Sequence, residues 1–183
     1  MTHSLIRSGR CHVFGNDIPL DDGLIPFDMA IQRIDDPARL VPELFRMMDP
    51  DFPRRVQPGD IIIAGENFGC GKPHFQGFIA MAALGLSVVC ASMPYKTLRG
   101  AISKGVPVLT GLPAPCEAFR TGDRVAVDFM RGAISNLENA QCLALPPLSP
   151  LLADTVRRGG TRGMLAAWLN EHPNMRVPRQ PAS

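Results

Sequence analysis

Asp60-Ile61-Ile62-Ile63-Ala64-Gly65-Glu66-Asn67-Phe68-Gly69-Cys70-Gly71, followed by Lys72-Pro73-His74, is the stretch that decides how this chain folds. Four consecutive apolar residues, Ile61, Ile62, Ile63 and Ala64, run into a loop holding three glycines. A strand that is apolar at every position is one covered on both faces, as in a parallel sheet. The chain then opens a helix at Pro73, with Phe75, Phe78, Ile79, Ala82 and Ala83 on one helical face and Gly85 as its C-cap. A buried strand that feeds a Gly-rich loop and a helix N-terminus aims backbone N–H groups at an anion, with the helix dipole assisting. The expectation is a site for a small, negatively charged molecule.

Outward from that loop the pattern stays α/β. Residues 86–91 read as a second buried strand, so strand, helix and strand form a parallel crossover unit of right-handed type. Residues 95–104 predict a short helix closed by Gly105, and residues 106–109 one more strand. Upstream, residues 7–14 alternate as a first strand and turn at Gly15-Asn16-Asp17. Asp17, Asp21 and Asp22 bracket the loop that ends at Ile25-Pro26. They suit metal or acid–base work, but turn hydrogen bonding is the commoner use of Asp in loops and is the reading adopted. Asp36 caps a predicted helix over residues 38–48, and a Pro- and Arg-rich linker leads to the central strand. Residues 123–130 and 131–137 predict a β-hairpin. Residues 143–150 read as extended, and a C-terminal helix over about 151–171 precedes a flexible tail. One domain over residues 1–183 accounts for the whole.

Composition narrows the function classes. Hydrophobic residues make up 45% and charged residues 20% of the 183, which is the balance of a globular protein. No apolar run approaches the roughly 20 residues that a spanning helix needs. Residues 1–10 lack a signal-peptide core, so a cytoplasmic location is expected. Cys11, Cys70, Cys90, Cys116 and Cys142 are scattered singly and never form C-x-x-C, which predicts reduced thiols and no self-contained metal site. A net charge of +2 with one Trp and one Tyr gives neither a basic stripe nor a stacking platform, so nucleic acid is not an expected partner. The basic tail beyond Asn174 reads as a solvated end.

Two nucleotide motifs fail on spacing. Between Gly65 and Gly71 lie five residues where a P-loop has four, and Pro73 stands where the Mg²⁺-binding Ser or Thr belongs. After Gly69-x-Gly71 the next glycine is Gly77, which is the wrong offset for a dinucleotide fingerprint. Lys72 and His74 at a helix entrance oppose the dipole, a placement that an anionic ligand would justify. A His there is easier to keep neutral and so able to accept a proton. The bland alternative is a solvated lysine and a capping histidine. Cys70 reads as lining rather than nucleophile. Asn67, which can both donate and accept, is a better substrate contact than Glu66. His3, His12 and His172 have no partners at metal-ligand spacing and read as structural or surface groups.

At this point the chain resembles a known family, the small subunits of 3-isopropylmalate dehydratase, which are swivelling domains of the aconitase superfamily. The resemblance runs over almost the whole chain. It is carried by Gly9-Arg10-Cys11-His12-Val13-Phe14-Gly15, by Asp49-Pro50-Asp51-Phe52, by the block from Pro58 to Gly71, by Gly122-Asp123-Arg124-Val125-Ala126-Val127-Asp128, and by Arg131-Gly132 with Asn136-Leu137. It implies an α/β fold of swivelling β/β/α type. It also implies a large-subunit partner that carries a four-iron, four-sulfur cluster, so no cofactor is expected in this chain. An iron of that cluster would polarise the hydroxyl of a small hydroxy-dicarboxylic acid, and the small subunit would supply a base and anion-binding groups.

The chain departs from the family directly after Gly71. There the family has Ser-Ser-Arg-Glu-His, with a serine as base and the arginine on a substrate carboxylate, and this chain has Lys72-Pro73-His74-Phe75-Gln76. The candidate site is therefore Asn67, Gly69, Cys70, Gly71 and Lys72 for substrate binding, with His74 or Lys72 replacing the serine as base. A non-catalytic binding or regulatory subunit of the same fold is the alternative reading, and phosphate binding by Lys72 is a third.

Overall fold

The structure, a computed structural model, describes residues 5–113 and 117–175. His3, Cys116 and the tail from residue 176 lie outside the described residues. In chain order the elements are β1 (Ile6–Val13), α1 (Phe27–Ile31), α2 (Pro37–Leu40), α3 (Phe52–Arg55), β2 (Ile61–Ala64), α4 (Gln76–Ala83), β3 (Ser87–Cys90) and α5 (Tyr95–Ser103). They continue with β4 (Val108–Leu109), β5 (Arg124–Asp128), β6 (Ala133–Asn136), β7 (Cys142–Ala144), α6 (Pro150–Arg157) and α7 (Gly160–Glu171).

The described strands form one sheet in the order β4-β3-β2-β1-β5-β6-β7. β1 joins a parallel half to an antiparallel half by changing partner along its length. Ile6 to Arg10 pair antiparallel with β5, while Cys11, His12 and Val13 pair parallel with Ile61, Ile62 and Ile63 of β2. β2, β3 and β4 continue in parallel, as the crossover pattern requires, and β5–β6 is the expected hairpin, extended by β7.

β2 explains its own composition. Ile62 and Ala64 enter one core with Phe45, Phe52, Phe68 and Phe78, while Ile61 and Ile63 enter a second core with Val89, Ile102, Val125 and Ile134. Both faces of the strand are covered, so neither alternation has room for a polar residue. A buried ion-pair geometry ties the start of β2 to β1. His12 Nε2 lies 2.8 Å from Asp60 Oδ2, with both side chains 5% exposed, and the Asp60 carboxylate also accepts from the N–H groups of Gln57 and Arg10. His12 thus has a structural place.

Four expectations change in detail. The helix predicted over residues 38–48 is only α2 plus a 3₁₀ turn at Val41–Glu43, because Pro42 lacks a donor and the backbone at Leu44 is extended. Its predicted cap holds: Asp36 Oδ1 accepts from Ala38 N at 2.9 Å. The helix predicted to open at Pro73 begins at Gln76 instead, since Gly71 is left-handed (φ +93) and His74 N donates to Lys72 O in a turn. The span 151–171 is two helices broken at Gly159 and Gly160, both at positive φ, where a Cβ on Gly160 would stand 2.1 Å from Ser103 O. The start of the extended segment pairs as a strand, β7, which begins one residue earlier and runs over Cys142–Ala144.

Candidate active site

The loop after β2 is held from below by the loop after β1 and from the side by the segment after β3. Gly65 N donates to Gly15 O, Glu66 N to Asn16 Oδ1, Asn67 N to Ser92 Oγ and Phe68 N to Ser92 O, at 2.8–3.0 Å. Gly69 N and Cys70 N both donate to Ile18 O, and Leu20 N returns a bond to Cys70 O. Six consecutive amides, residues 65–70, therefore already have partners inside the chain. This corrects the expectation of an anion cradle as far as these six N–H groups are concerned.

What the loop provides is rigid positioning. Asn67 sits at φ +58 with its Nδ2 on Asp17 Oδ1 at 2.7 Å. Gly69, at φ +75, leaves no room for a side chain: a Cβ would meet Thr97 Cγ2 at 2.4 Å, and Thr97 Oγ1 donates to Gly69 O at 2.7 Å. Gly71 is the opposite case, with open space where a Cβ would stand. Cys70 is half-buried, its backbone bridged to Pro19. The other described cysteines divide cleanly. Burial pushes the Cys90 thiol up to about 12 and, with the Asp123 carboxylate adding to it, the Cys11 thiol up to about 11, while Cys142 is exposed.

Lys72 and His74 leave this scaffold with different surroundings. Lys72 is exposed, and nothing among the described residues pairs with its ammonium. It lies four residues before the first residue of α4, outside the reach of the helix dipole that the sequence suggested. His74 is partly covered: its Nδ1 lies 2.9 Å from both carboxylate oxygens of Asp21, with side chains 29% and 20% exposed, and the Phe27 ring stands 5.9 Å away. A carboxylate accepts only, so Nδ1 is the protonated nitrogen in this contact and Nε2 carries the second function of the ring.

Asp21 is the site residue that sequence reasoning assigned to a turn. It is 53 residues from His74, and no spacing rule reaches across that gap; only the noted Asp cluster pointed to it. Asp22 behaves as a turn residue, its Oδ1 accepting from Phe27 N at 2.9 Å, while Asp17 reaches across to the site loop and accepts from Asn67 Nδ2. His74 lines a groove of about 240 Å³ with Phe75, Gln76, Ile79 and Lys104. A cavity of about 880 Å³ lies among α5, α6 and α7, lined by Tyr95, Leu98, Arg99, Leu152 and Met164 and reached by Pro73 and Phe75, and none of the predicted site residues borders it.

A mixed sheet whose parallel half carries a fixed glycine loop after β2, with helices packed over it, is a swivelling α/β domain. Its relatives are consistent among themselves. The chain is 36% identical over 157 residues to the 3-isopropylmalate dehydratase small subunit of Moorella thermoacetica, covering 85% of this chain and 92% of that protein. It is 34% identical over 172 residues to the protein of the same name from Deinococcus deserti, covering 93% and 89%. A crystal structure of 3-isopropylmalate dehydratase from Methanocaldococcus jannaschii superposes with a TM-score of 0.82 at 29% identity, over 93% of this chain and 99% of that one. No family model matches the chain. On its relatives, the chain belongs to the family of 3-isopropylmalate dehydratase small subunits.

Proposed function

We propose that this chain is the small subunit of a hydro-lyase that removes and re-adds water on a small hydroxy-dicarboxylic acid, 3-isopropylmalate or a related alkylmalate. It works in the cytoplasm, docked on a large subunit that holds a four-iron, four-sulfur cluster. The observation that carries this reading is the family's glycine loop, fixed at the exit of β2, with one cation and one imidazole standing at its end. Among the described residues no group of three or more His, Cys, Asp or Glu side chains is placed to hold a metal ion. The cluster is assigned to the partner on the family resemblance, and the roles below belong to this chain alone.

Lys72 offers three donors and no acceptor, which suits it to a substrate carboxylate rather than to taking a proton. His74 has an acceptor nitrogen and fills the role of base, removing the proton next to a carboxylate in dehydration and returning it in hydration. Charge that develops toward that carboxylate during proton removal is stabilised by Lys72. Gly71 lets the substrate approach the backbone, while Asn67, Gly69 and Cys70 form the fixed wall. The groove beside His74 is small and Lys72 stands outside it, as fits half of a site whose second wall is another polypeptide.

The test is co-expression with the large subunit, reconstitution of its cluster, and a panel of malate, citrate and alkylmalate analogues followed by formation of the unsaturated diacid. Turnover of one hydroxy diacid is the expected result. A stable complex that turns over no member of the panel overturns the proposal in favour of a binding subunit.

A further inference from the structure

We propose that Asp21 is a positioning residue of this active site, holding His74 as the Nδ1–H tautomer so that Nε2 is the basic atom. The inference rests on the hydro-lyase reading for its chemistry and on geometry for its assignment. Both Asp21 oxygens stand 2.9 Å from His74 Nδ1, and because an ionised carboxylate only accepts, Nδ1 is the nitrogen that must carry the hydrogen and donate it to Asp21. The same logic governs a buried carboxylate behind a catalytic imidazole, where the carboxylate fixes tautomer and orientation and stabilises the imidazolium without itself taking the proton.

The loop that carries Asp21 is built to keep it in place. Leu20 N donates to Cys70 O, so the residue before Asp21 is bonded directly to the site loop. Asp21 bridges to Ile25, Asp22 N donates to Ile25 O at 2.8 Å, and Leu24 N donates to Pro19 O at 3.1 Å, which closes the loop on itself. Gly23 lies so near Pro19 O that a Cβ would stand 2.2 Å from it. Leu24 is buried against Gly77 of α4, where an added Cβ would meet the leucine side chain at 2.7 Å, so the loop is also seated on the helix that follows His74. A group that must be held to a fraction of an ångström is here supported from both its flanks. The Lys104 and Gln76 side chains line the groove beside His74, and Asp21 is the acidic group in contact with the ring.

The experiment has two parts. In the full chain, nitrogen-15 shifts of the neutral His74 ring report which nitrogen is protonated: Nδ1–H is expected in the wild type, with conversion to Nε2–H in the isosteric Asp21→Asn. In the reconstituted complex, Asp21→Asn lowers kcat by about 10²-fold or more while KM stays within about threefold. It adds no further loss in a His74→Gln background. A purely structural role would lower both backgrounds alike. An Nε2–H tautomer in the wild type, or equal losses in the two backgrounds, overturns the proposal. A complex inactive on every substrate overturns the hydro-lyase reading instead, and the ring tautomer, which needs neither turnover nor a variant, still decides the role of Asp21.

Discussion

Lys72 and His74 are two residues apart in the chain, yet one is a hydrated cation and the other is gripped by a carboxylate. Kinetics should separate them. Lys72→Ala is expected to raise KM and to lower kcat as well, because it removes the carboxylate contact together with the stabilisation of charge that develops there in the transition state. His74→Ala is expected to lower kcat by about 10²–10⁴-fold, the range of a lost general base. Steady-state rates on the reconstituted complex check both, and full activity in the two variants would end the assignment. A second residue-scale prediction concerns the thiols. Cys90 and Cys11 hold their protons in the folded chain to about 12 and about 11, against 9.0 for the free thiol. Above about pH 9 the unfolded chain releases these protons while the folded chain keeps them, so the folded state binds more protons and stability falls as pH rises. Below pH 9 both states are protonated and the thiols contribute no slope. Urea unfolding between pH 8 and pH 11, on an order-of-magnitude scale, should show this decline, and Cys90→Ala should flatten it.

At the scale of elements, β2 makes the sharpest claim. A strand with one wet face tolerates truncation on alternate residues, but here Ile62 and Ile63 are both buried, in different cores. Ile62→Ala and Ile63→Ala should each cost about 2–5 kcal/mol, read from denaturant midpoints. A near-neutral result for either would mean that its core is loosely packed. The helices show how far periodicity carries. The face Phe75, Phe78, Ile79, Ala82 identified α4, yet its first residue is set by a left-handed Gly71 and a local turn that apolar spacing does not record. Leu40, Leu44 and Met48 kept helical spacing across Pro42, and the missing donor won over the pattern. Gly159 and Gly160 are adjacent in the sequence, but the need for glycine at 160 depends on Ser103 O standing where a side chain would go.

For the whole molecule, the sheet brings three loops to one edge: the one carrying Asp17 and Asp21, the one from Gly65 to His74, and the one carrying Ser92. The parallel arrangement of β1, β2 and β3 is what does so, because parallel strands end together and their C-terminal loops cluster. The result is a site open on one side. The chain alone should therefore turn over none of the hydroxy diacids, and activity should appear and saturate as the large subunit is titrated to one equivalent, with complex formation followed by sedimentation. Turnover by the isolated chain would show that the site is complete in itself.

The sequence by itself determined the parallel core, the crossover around α4, the β5–β6 hairpin and the family. These rest on apolar period, turn chemistry and blocks of residues in fixed order, all of which are local or collinear. It also marked Lys72 and His74, since charged groups beside a glycine loop are visible in one dimension. The tertiary structure alone decided that the loop amides face inward, because their partners at Gly15, Asn16, Ile18 and Ser92 come from other segments. It alone put Asp21 on His74. A hydrogen bond between residues 53 apart depends on where two loops are carried by their strands, and no pattern of residue types within either loop specifies that meeting.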